Sequence, residues 1–342
     1  MAKITVVLAV YNVEDYLEKC IKSILDQSFK DIQILAIDDG SIDNSSLILK
    51  KYSKLNKKIK YISKENGGYG SVLEVAIKQI KTKYFLICDP DDWLANDCLE
   101  KLFNSAEKNN SDITVADMYL VYGNKQKPQY KKCTHRNYPI KPFTRYNNLT
   151  NFAFFSPSPH AKLYRTKLAK KIIFPHKISY TDTILYYMYL NVAKSALYID
   201  EPLAFYYFDR PGNTVTKIVG NGYTQKTFDA QLSVINSTFS QLLKSHSVNY
   251  YIFYRLYIEI TSIIAKMKLI KDGDFKENIK KIDASLTTLD NNYDHIKKYV
   301  VGDNKINYIL RKLLMYFLLK PLTRKITIKL LANIYQLTNT II

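Results

Sequence analysis

Four times in the first ninety residues, a short apolar run rich in β-branched side chains gives way to a helix-spaced segment. The runs are ITVVLAV (4–10), IQILAI (32–37), KIKYIS (58–63) and YFLIC (84–88). Near-continuous apolar runs of this length mark strands buried on both faces. After the first, Leu17, Cys20, Ile21, Ile24 and Leu25 recur at helical spacing, with Glu14, Asp15, Glu18, Lys19 and Lys22 between them. Helices are expected again up to about Leu55 and up to Ile80. Strands alternating with helices imply a parallel sheet joined by right-handed crossovers. In such sheets, ligands bind beyond the carboxyl ends of the strands.

Each of the four strands ends in a polar cluster. These are Tyr11-Asn12, Asp38-Asp39-Gly40, Glu65-Asn66-Gly67-Gly68 and Asp89-Pro90-Asp91-Asp92. The last packs three carboxylates into four residues. Asp89 and Asp91, at i and i+2, present oxygens to a hard divalent cation, which relieves their repulsion and takes its remaining ligands from phosphates and water. An isolated D-x-D is more often a solvated turn capping the next helix, with Asp92 as the cap. The strand end, on a rim with three other clusters, favours the cation. Asp39 suits a hydrogen bond from a base or ribose, although Asp-Gly is also an ordinary turn. No Rossmann fingerprint follows the first strand. Gly68-Tyr69-Gly70 lacks its third glycine, and no Walker A lysine motif is present.

A helix over residues 97–109 and a strand over 112–121 complete the first half. Residues 122–160 are basic, aperiodic and read as loops. TDTILYYMYLNVAKSA (181–196) reads as a helix and LYIDEPLAFYYFDR (197–210) as one or two strands. From about 222 the pattern is helical throughout, which places a domain boundary near 216–222. The N-terminal MAKITVVLAVYN lacks a cleavage site and runs straight into a helix, so it is not a signal peptide. No run reaches the ~18 apolar residues of a spanning helix. The four cysteines form no C-x-x-C pair, and Cys20 and Cys88 read as small core residues in a reducing compartment.

Six segments carry a family resemblance. They are VVLAVYNVEDYLEKCIKSILDQSF, LAIDDGSIDNS, ENGGYGSVLEVAIKQIKTKYFLICDPDDWL, AKLYRTKL, TDTIL and YIDEPLAFYYFDRPGNT. In this order, from Lys3 to about Lys217, they resemble the family 2 inverting glycosyltransferases of bacterial surface-polysaccharide and glycoprotein pathways. That family has the nucleotide-diphospho-sugar transferase (GT-A) fold. The resemblance implies an α/β domain over residues 1–218, with a mixed, mostly parallel sheet flanked by helices. Its nucleotide-sugar half would be about 1–120 and its acceptor half about 121–218. A smaller all-helical region, 219–342, lies outside the resemblance.

The resemblance also implies roles. Ala9, Tyr11 and Asp39 would hold the nucleobase and ribose, and Lys64, Asn66 and Gly67 would line the same pocket. Asp91 would ligate Mn²⁺ or Mg²⁺, and Asp89 would face the ribose or the water shell of the ion. Asp182 would be the general base. The donor would be a UDP-sugar and the acceptor a glycan on a lipid carrier or a protein. Departures from the pattern are Pro90, where a small residue is usual, Thr181 in place of a Glu, and His160-Ala161 in place of Trp-Asn. His160 and Lys162 therefore stand as weak acceptor-side candidates, with a satisfied structural role the commoner fate for such a histidine. Arg210 either meets the diphosphate or anchors its loop. Trp93 reads as packing under the rim.

With 50 basic against 31 acidic residues, the net charge is +19. Charge speaks to partners more than fold. A nucleic-acid-binding protein would set basic and aromatic residues on one face, yet the rim clusters are acidic or glycine-rich, so nucleic acid is not an expected partner. A catalytically silent scaffold is opposed by the intact Asp89, Asp91 and Asp182. After Asp303 the sequence contains no acidic residue. Basic side chains punctuate apolar runs there, and Pro321 divides two helices of roughly 15 residues. Residues 304–342 therefore pack as a lobe, self-associate, or lie on an anionic membrane surface. The expected location is cytoplasmic, at the inner face of the membrane if lipid is the partner.

Overall fold

The computed structural model describes residues 2–123, 125, 127–135, 137–210, 222–300 and 305–341, the last six by backbone only. The chain divides into two compact units, Met1–Pro211 and Gly212–Ile342. The expected boundary at 218/219 lies outside the described residues.

The first unit opens with the anticipated alternation: β1 (Ile4–Val10), α1 (Glu14–Leu25), β2 (Ile32–Asp38), α2 (Ser45–Leu55), β3 (Ile59–Ser63), α3 (Tyr69–Gln79) and β4 (Tyr84–Ile87). It continues with β5 (Trp93–Leu94), α4 (Cys98–Asn109), β6 (Ile113–Val121), β7 (Gln129–Lys131), β8 (Arg145–Tyr146), β9 (Lys162–Arg165), α5 (Thr166–Ala169), α6 (Thr181–Val192) and β10 (Ala196–Tyr207). The sheet order is β3-β2-β1-β4-β9-β6-β10-β5, with β7 beside β6 and β8 beside β10. β3, β2, β1 and β4 are mutually parallel, and β6 pairs in parallel with β10, while β9 runs antiparallel to both of its neighbours. This is a mixed, mostly parallel sheet flanked by helices.

Burial follows the sequence pattern. Every residue of β4 is buried, and β1 is buried but for Ala9. β3 is half exposed because it forms the sheet edge. α1 buries Leu17, Cys20, Ile21 and Ile24, the stripe its spacing predicts, at about 2 kcal/mol for each large aliphatic side chain. All four cysteines are buried and free. The 197–210 segment forms one strand rather than two. Its ladder with β6 shifts register around Pro202, which lacks an N–H to give. β9 had no periodic signal, since four residues ending in Lys162 and Arg165 are too short and too basic to read as a buried strand.

The second unit is helical among its described residues: α7 (Gln225–Leu243), α8 (Tyr250–Lys266), α9 (Phe275–Asp290), α10 (Tyr293–Ile296), α11 (Lys305–Leu319) and α12 (Pro321–Ile341). Asp274 caps α9 by accepting the Lys276 and Glu277 N–H groups at 2.8 and 3.3 Å, and Thr224 caps α7. Pro321 takes the first helical position, where its missing N–H costs nothing. α12 spans 21 residues, longer than anticipated. No described helix is long and apolar enough to cross a membrane.

Candidate active site

The register of the parallel strands sets the rim. Val10 lies opposite Asp38, and Asp38 opposite Ser63, so Tyr11, Asp39 and Lys64 emerge side by side. The Asp39 carboxylate is buried. It accepts from Lys64 Nζ at 2.5 Å, Gly67 N at 3.0 Å and Gly68 N at 2.7 Å. Lys64 also reaches Ser71 Oγ at 2.9 Å. The third cluster thus closes onto the second through Asp39. Tyr11 stands 47% exposed at the mouth, Asn66 is exposed, and Ala9 is half-buried beneath them. Gly68 has φ +80°, and a Cβ there would meet Lys177 N at 2.9 Å, so both its conformation and its neighbour require glycine.

Sequence reasoning overlooked a second tie between the first two clusters. Val13 N donates to Ser45 Oγ at 3.0 Å, Glu14 N to Asp43 Oδ2 at 3.0 Å, and Ile42 N to Asn12 Oδ1 at 2.9 Å. These bonds join the β1 and β2 loops into one wall.

The carboxylate turn is built around Pro90. Asp92 N donates to the Asp89 carbonyl at 3.0 Å, which makes Asp89–Asp92 a β-turn with proline second. Its fixed φ suits that position, and no N–H is needed there. The unusual proline therefore shapes the turn rather than disturbing it. The three carboxylates then diverge. Asp89 is half-buried and accepts from Tyr69 OH at 2.9 Å. Asp91 pairs with the Arg210 Nε, and the Arg210 guanidinium lies 5.4 Å from the Tyr16 ring centre. Asp92 caps no helix. It is buried, accepts Tyr207 N at 2.8 Å and meets His160 Nε2 at 2.6 Å. The end of β10 thereby clasps the turn from Tyr207 to Arg210.

His160 is 6% exposed, its ring is 4.5 Å from that of Tyr206, and its Nδ1 is buried with no hydrogen-bond partner among the described residues. It supports the turn from behind. Lys162 has no exposed surface. Its ammonium donates to the Ser158 carbonyl at 2.5 Å and lies 5.4 Å from the Tyr186 ring centre. It holds the loop before β9 and is closed off from solvent. Trp93 stacks on Phe205 with ring centres 5.4 Å apart, and the Lys19 ammonium is 3.0 Å from the Trp93 ring centre. It packs at the rim, as expected.

Electrostatics tie Asp182 to this turn. Burial pushes the Asp89 carboxyl up to about 8, reinforced by Asp91, Asp92 and Asp182 and opposed by His160. Asp182, in the first turn of α6, is also raised by burial, against the Thr183 N–H, His160 and Lys162. Burial acts to lower His160, but the charge and hydrogen bond of Asp92 outweigh it and raise the ring. Burial drops Lys162 to about 8. Asp89, Asp91, Asp92 and Asp182 form a carboxylate-rich patch that Arg210 and His160 offset only in part, and such a patch suits a divalent cation. Donor atoms of Asp89, Asp92 and His160 lie within 4.8 Å of one another. Asp92 is paired with His160 Nε2 and buried, however, which leaves Asp89 and Asp91 as the carboxylates of the turn nearer solvent.

Residues 5–173 match the family model described as glycosyl transferase family 2. Over 117 residues the chain is 38% identical to glycosyltransferase GlyA of Streptococcus pneumoniae, which covers 34% of this chain and only 17% of that protein. Over 218 residues it is 30% identical to an uncharacterized glycosyltransferase, the MG025 homolog of Mycoplasma pneumoniae, covering 62% of this chain and 70% of the relative. Among solved structures, S. aureus TarS 1–349 in complex with UDP-GlcNAc superposes with a TM-score of 0.69 at 18% identity, over 98% of this chain and 92% of that one. At that identity the likeness speaks for the fold.

Proposed function

The chain belongs to glycosyl transferase family 2, and on that premise we propose that it moves a hexose or N-acetylhexosamine from a UDP-sugar to a hydroxyl of a glycan acceptor, with inversion. The acceptor would be carried on a lipid or a protein, in the synthesis of a bacterial surface glycan or glycoprotein on the cytoplasmic side. The observation that carries this reading is the gathering of Asp39, Asp89, Asp91 and Asp182 about the carboxyl ends of the parallel strands. TarS, similar in fold, is known in complex with UDP-GlcNAc, which supports a uridine nucleotide as the donor group.

Each residue takes a role that its surroundings suit. Asp39, held rigid by Lys64, Gly67 N and Gly68 N, presents a carboxylate edge to the base, with Tyr11 beside it. Tyr69 orients Asp89 toward the ribose. Asp91 and Asp89 would hold Mn²⁺ or Mg²⁺, which supplies positive charge to the leaving diphosphate. Arg210, already paired with Asp91, lies where it can turn to the same phosphates. Asp182 accepts the proton of the acceptor hydroxyl. That oxygen forms its bond to the anomeric carbon as the bond to UDP breaks on the opposite face, and UDP departs with the electron pair. A carboxyl raised toward neutrality is the better base.

The test is release of the nucleotide from a panel of UDP-sugars and purine-nucleotide sugars, with Mn²⁺ or with EDTA. Turnover of one donor that stops with EDTA is expected. Turnover only of purine-nucleotide sugars would overturn the donor, and undiminished turnover in EDTA would overturn the ion.

A further inference from the structure

The α11–α12 hairpin is divided in a way the sugar chemistry does not use. One side is held within its own unit. Met315, Leu318, Leu319, Ile328 and Ala332 are fully buried. Lys320 pairs with Asp290 at 2.8 Å and Arg324 with Asp283 at 2.8 Å, both acids lying on α9. The other side is open and apolar. Of the twenty large apolar side chains exposed among the described residues, eleven fall between Ile306 and Ile334. Leu313, Tyr316 and Phe317 are 43–46% exposed on α11, and Leu322, Ile326 and Leu330 are 55–95% exposed on α12. A groove of about 400 Å³ runs between the helices, lined by Leu314, Phe317, Ile326, Leu330 and Ile334 among others. A monomeric soluble surface rarely leaves such a concentration uncovered.

Charge identifies what covers it. Lys325 and Lys329 are exposed and flank Ile326 and Leu330 on the same strip of α12. Among the described residues no carboxylate pairs with either, and residues 304–342 contain no acidic side chain. A two-fold contact with a second copy through this strip would bring the lysines of both chains together with no acid from the strip between them. A surface of anionic lipid headgroups satisfies both halves of the pattern. Apolar side chains enter the acyl boundary, and lysines reach phosphates by extending their stems. No described helix can cross the bilayer, so the hairpin lies along it.

We propose that the open face of α11–α12 is a docking surface for an anionic lipid bilayer. It does not depend on which donor or acceptor the first unit uses. The test is flotation of the full chain with vesicles of phosphatidylcholine alone and with vesicles doped with phosphatidylglycerol, at low and high salt. The chain floats with the anionic vesicles and is released by salt. Each lysine near such a surface is worth roughly five-fold in binding, so Lys325→Gln with Lys329→Gln lowers partitioning roughly 25-fold. Leu322→Ser with Ile326→Ser abolishes it. Melting curves matching the wild type show that these exposed substitutions leave the fold intact. Failure to float with anionic vesicles overturns the proposal, as does equal partitioning to neutral ones. So does a wild-type dimer by light scattering that Leu322→Ser with Ile326→Ser converts to monomer.

Discussion

Replacing His160 by leucine removes the partner of a carboxylate that has nowhere to go. Asp92 and His160 meet at 2.6 Å with side chains 2% and 5% exposed. Breaking such a buried pair from one side costs about 3–5 kcal/mol. An upper bound follows from the alternative open to Asp92, which is to take up a proton. Protonating a carboxyl of ordinary pKa, about 3.9, at pH 7 costs about 4 kcal/mol, so the ionisation part of the loss cannot exceed that. Tyr207 N still reaches the other oxygen, and the leucine keeps some of the contact with Tyr206. We expect a loss of about 3 kcal/mol at pH 7, or a fall in melting temperature of roughly 6–12 °C for a unit of this size. Burial raises Asp92 already in the wild type, opposed by the charge and hydrogen bond of His160, and losing His160 raises it further. In the variant, native Asp92 binds a proton that the unfolded chain releases above its usual pKa, so the variant gains stability as pH falls. The gap from wild type should therefore narrow by up to about 3 kcal/mol between pH 7 and about 4.5. Urea unfolding at both pH values measures it, with His160→Gln as the control that keeps a donor and loses about 1 kcal/mol. A leucine variant within about 0.5 kcal/mol of wild type at pH 7, or a gap independent of pH, would refute a buried charged pair.

Two further substitutions probe the supports of the site. Lys162 is buried and held down at about 8. Between that value and the unfolded lysine value of about 10.4, the folded chain sheds a proton that the unfolded chain keeps, so wild-type stability rises with pH. Relative to Lys162→Met, the rise should reach about 3 kcal/mol by urea unfolding, and a flat difference would contradict it. Pro90→Ala keeps the turn closed by the Asp92 N–H and loses only the pre-set φ. Stability should fall by less than about 1 kcal/mol, with UDP affinity in calorimetry changed by no more than about two-fold.

The strand–helix alternation was legible because apolar periodicity decides it. β1, β2, β3 and β4 fall within a residue or two of their sequence limits, and Asp39 sits where strand-end logic put it. What escaped reading was held by partners distant in sequence. Nothing near Asp92 announces His160, 68 residues away, or Tyr207, 115 residues away. Asp92 therefore read as a helix cap. Lys162 stood as an acceptor-side candidate, yet β9 carries it into the sheet between β4 and β6. Pro90 was opaque until its turn was closed by a backbone bond that no composition reveals. The basic tail showed its charge in sequence, but only the structure separates Lys320 and Arg324, paired with α9, from Lys325 and Lys329, left open.

The central claim is that Asp182 deprotonates the acceptor on a rim that binds the donor by other residues. Asp182→Asn measures it most directly, with transfer followed at saturating UDP-sugar and UDP affinity followed by calorimetry. Asn keeps the size of the side chain at the first turn of α6 and cannot accept the proton. The account predicts that kcat falls by about 10²–10⁴ while UDP affinity stays within about two-fold. It also predicts that wild-type kcat rises with pH through a base that burial raises from its ordinary value, and that the variant loses this limb. Transfer that persists undiminished in Asp182→Asn, or a loss that comes entirely from weakened UDP binding, would contradict it.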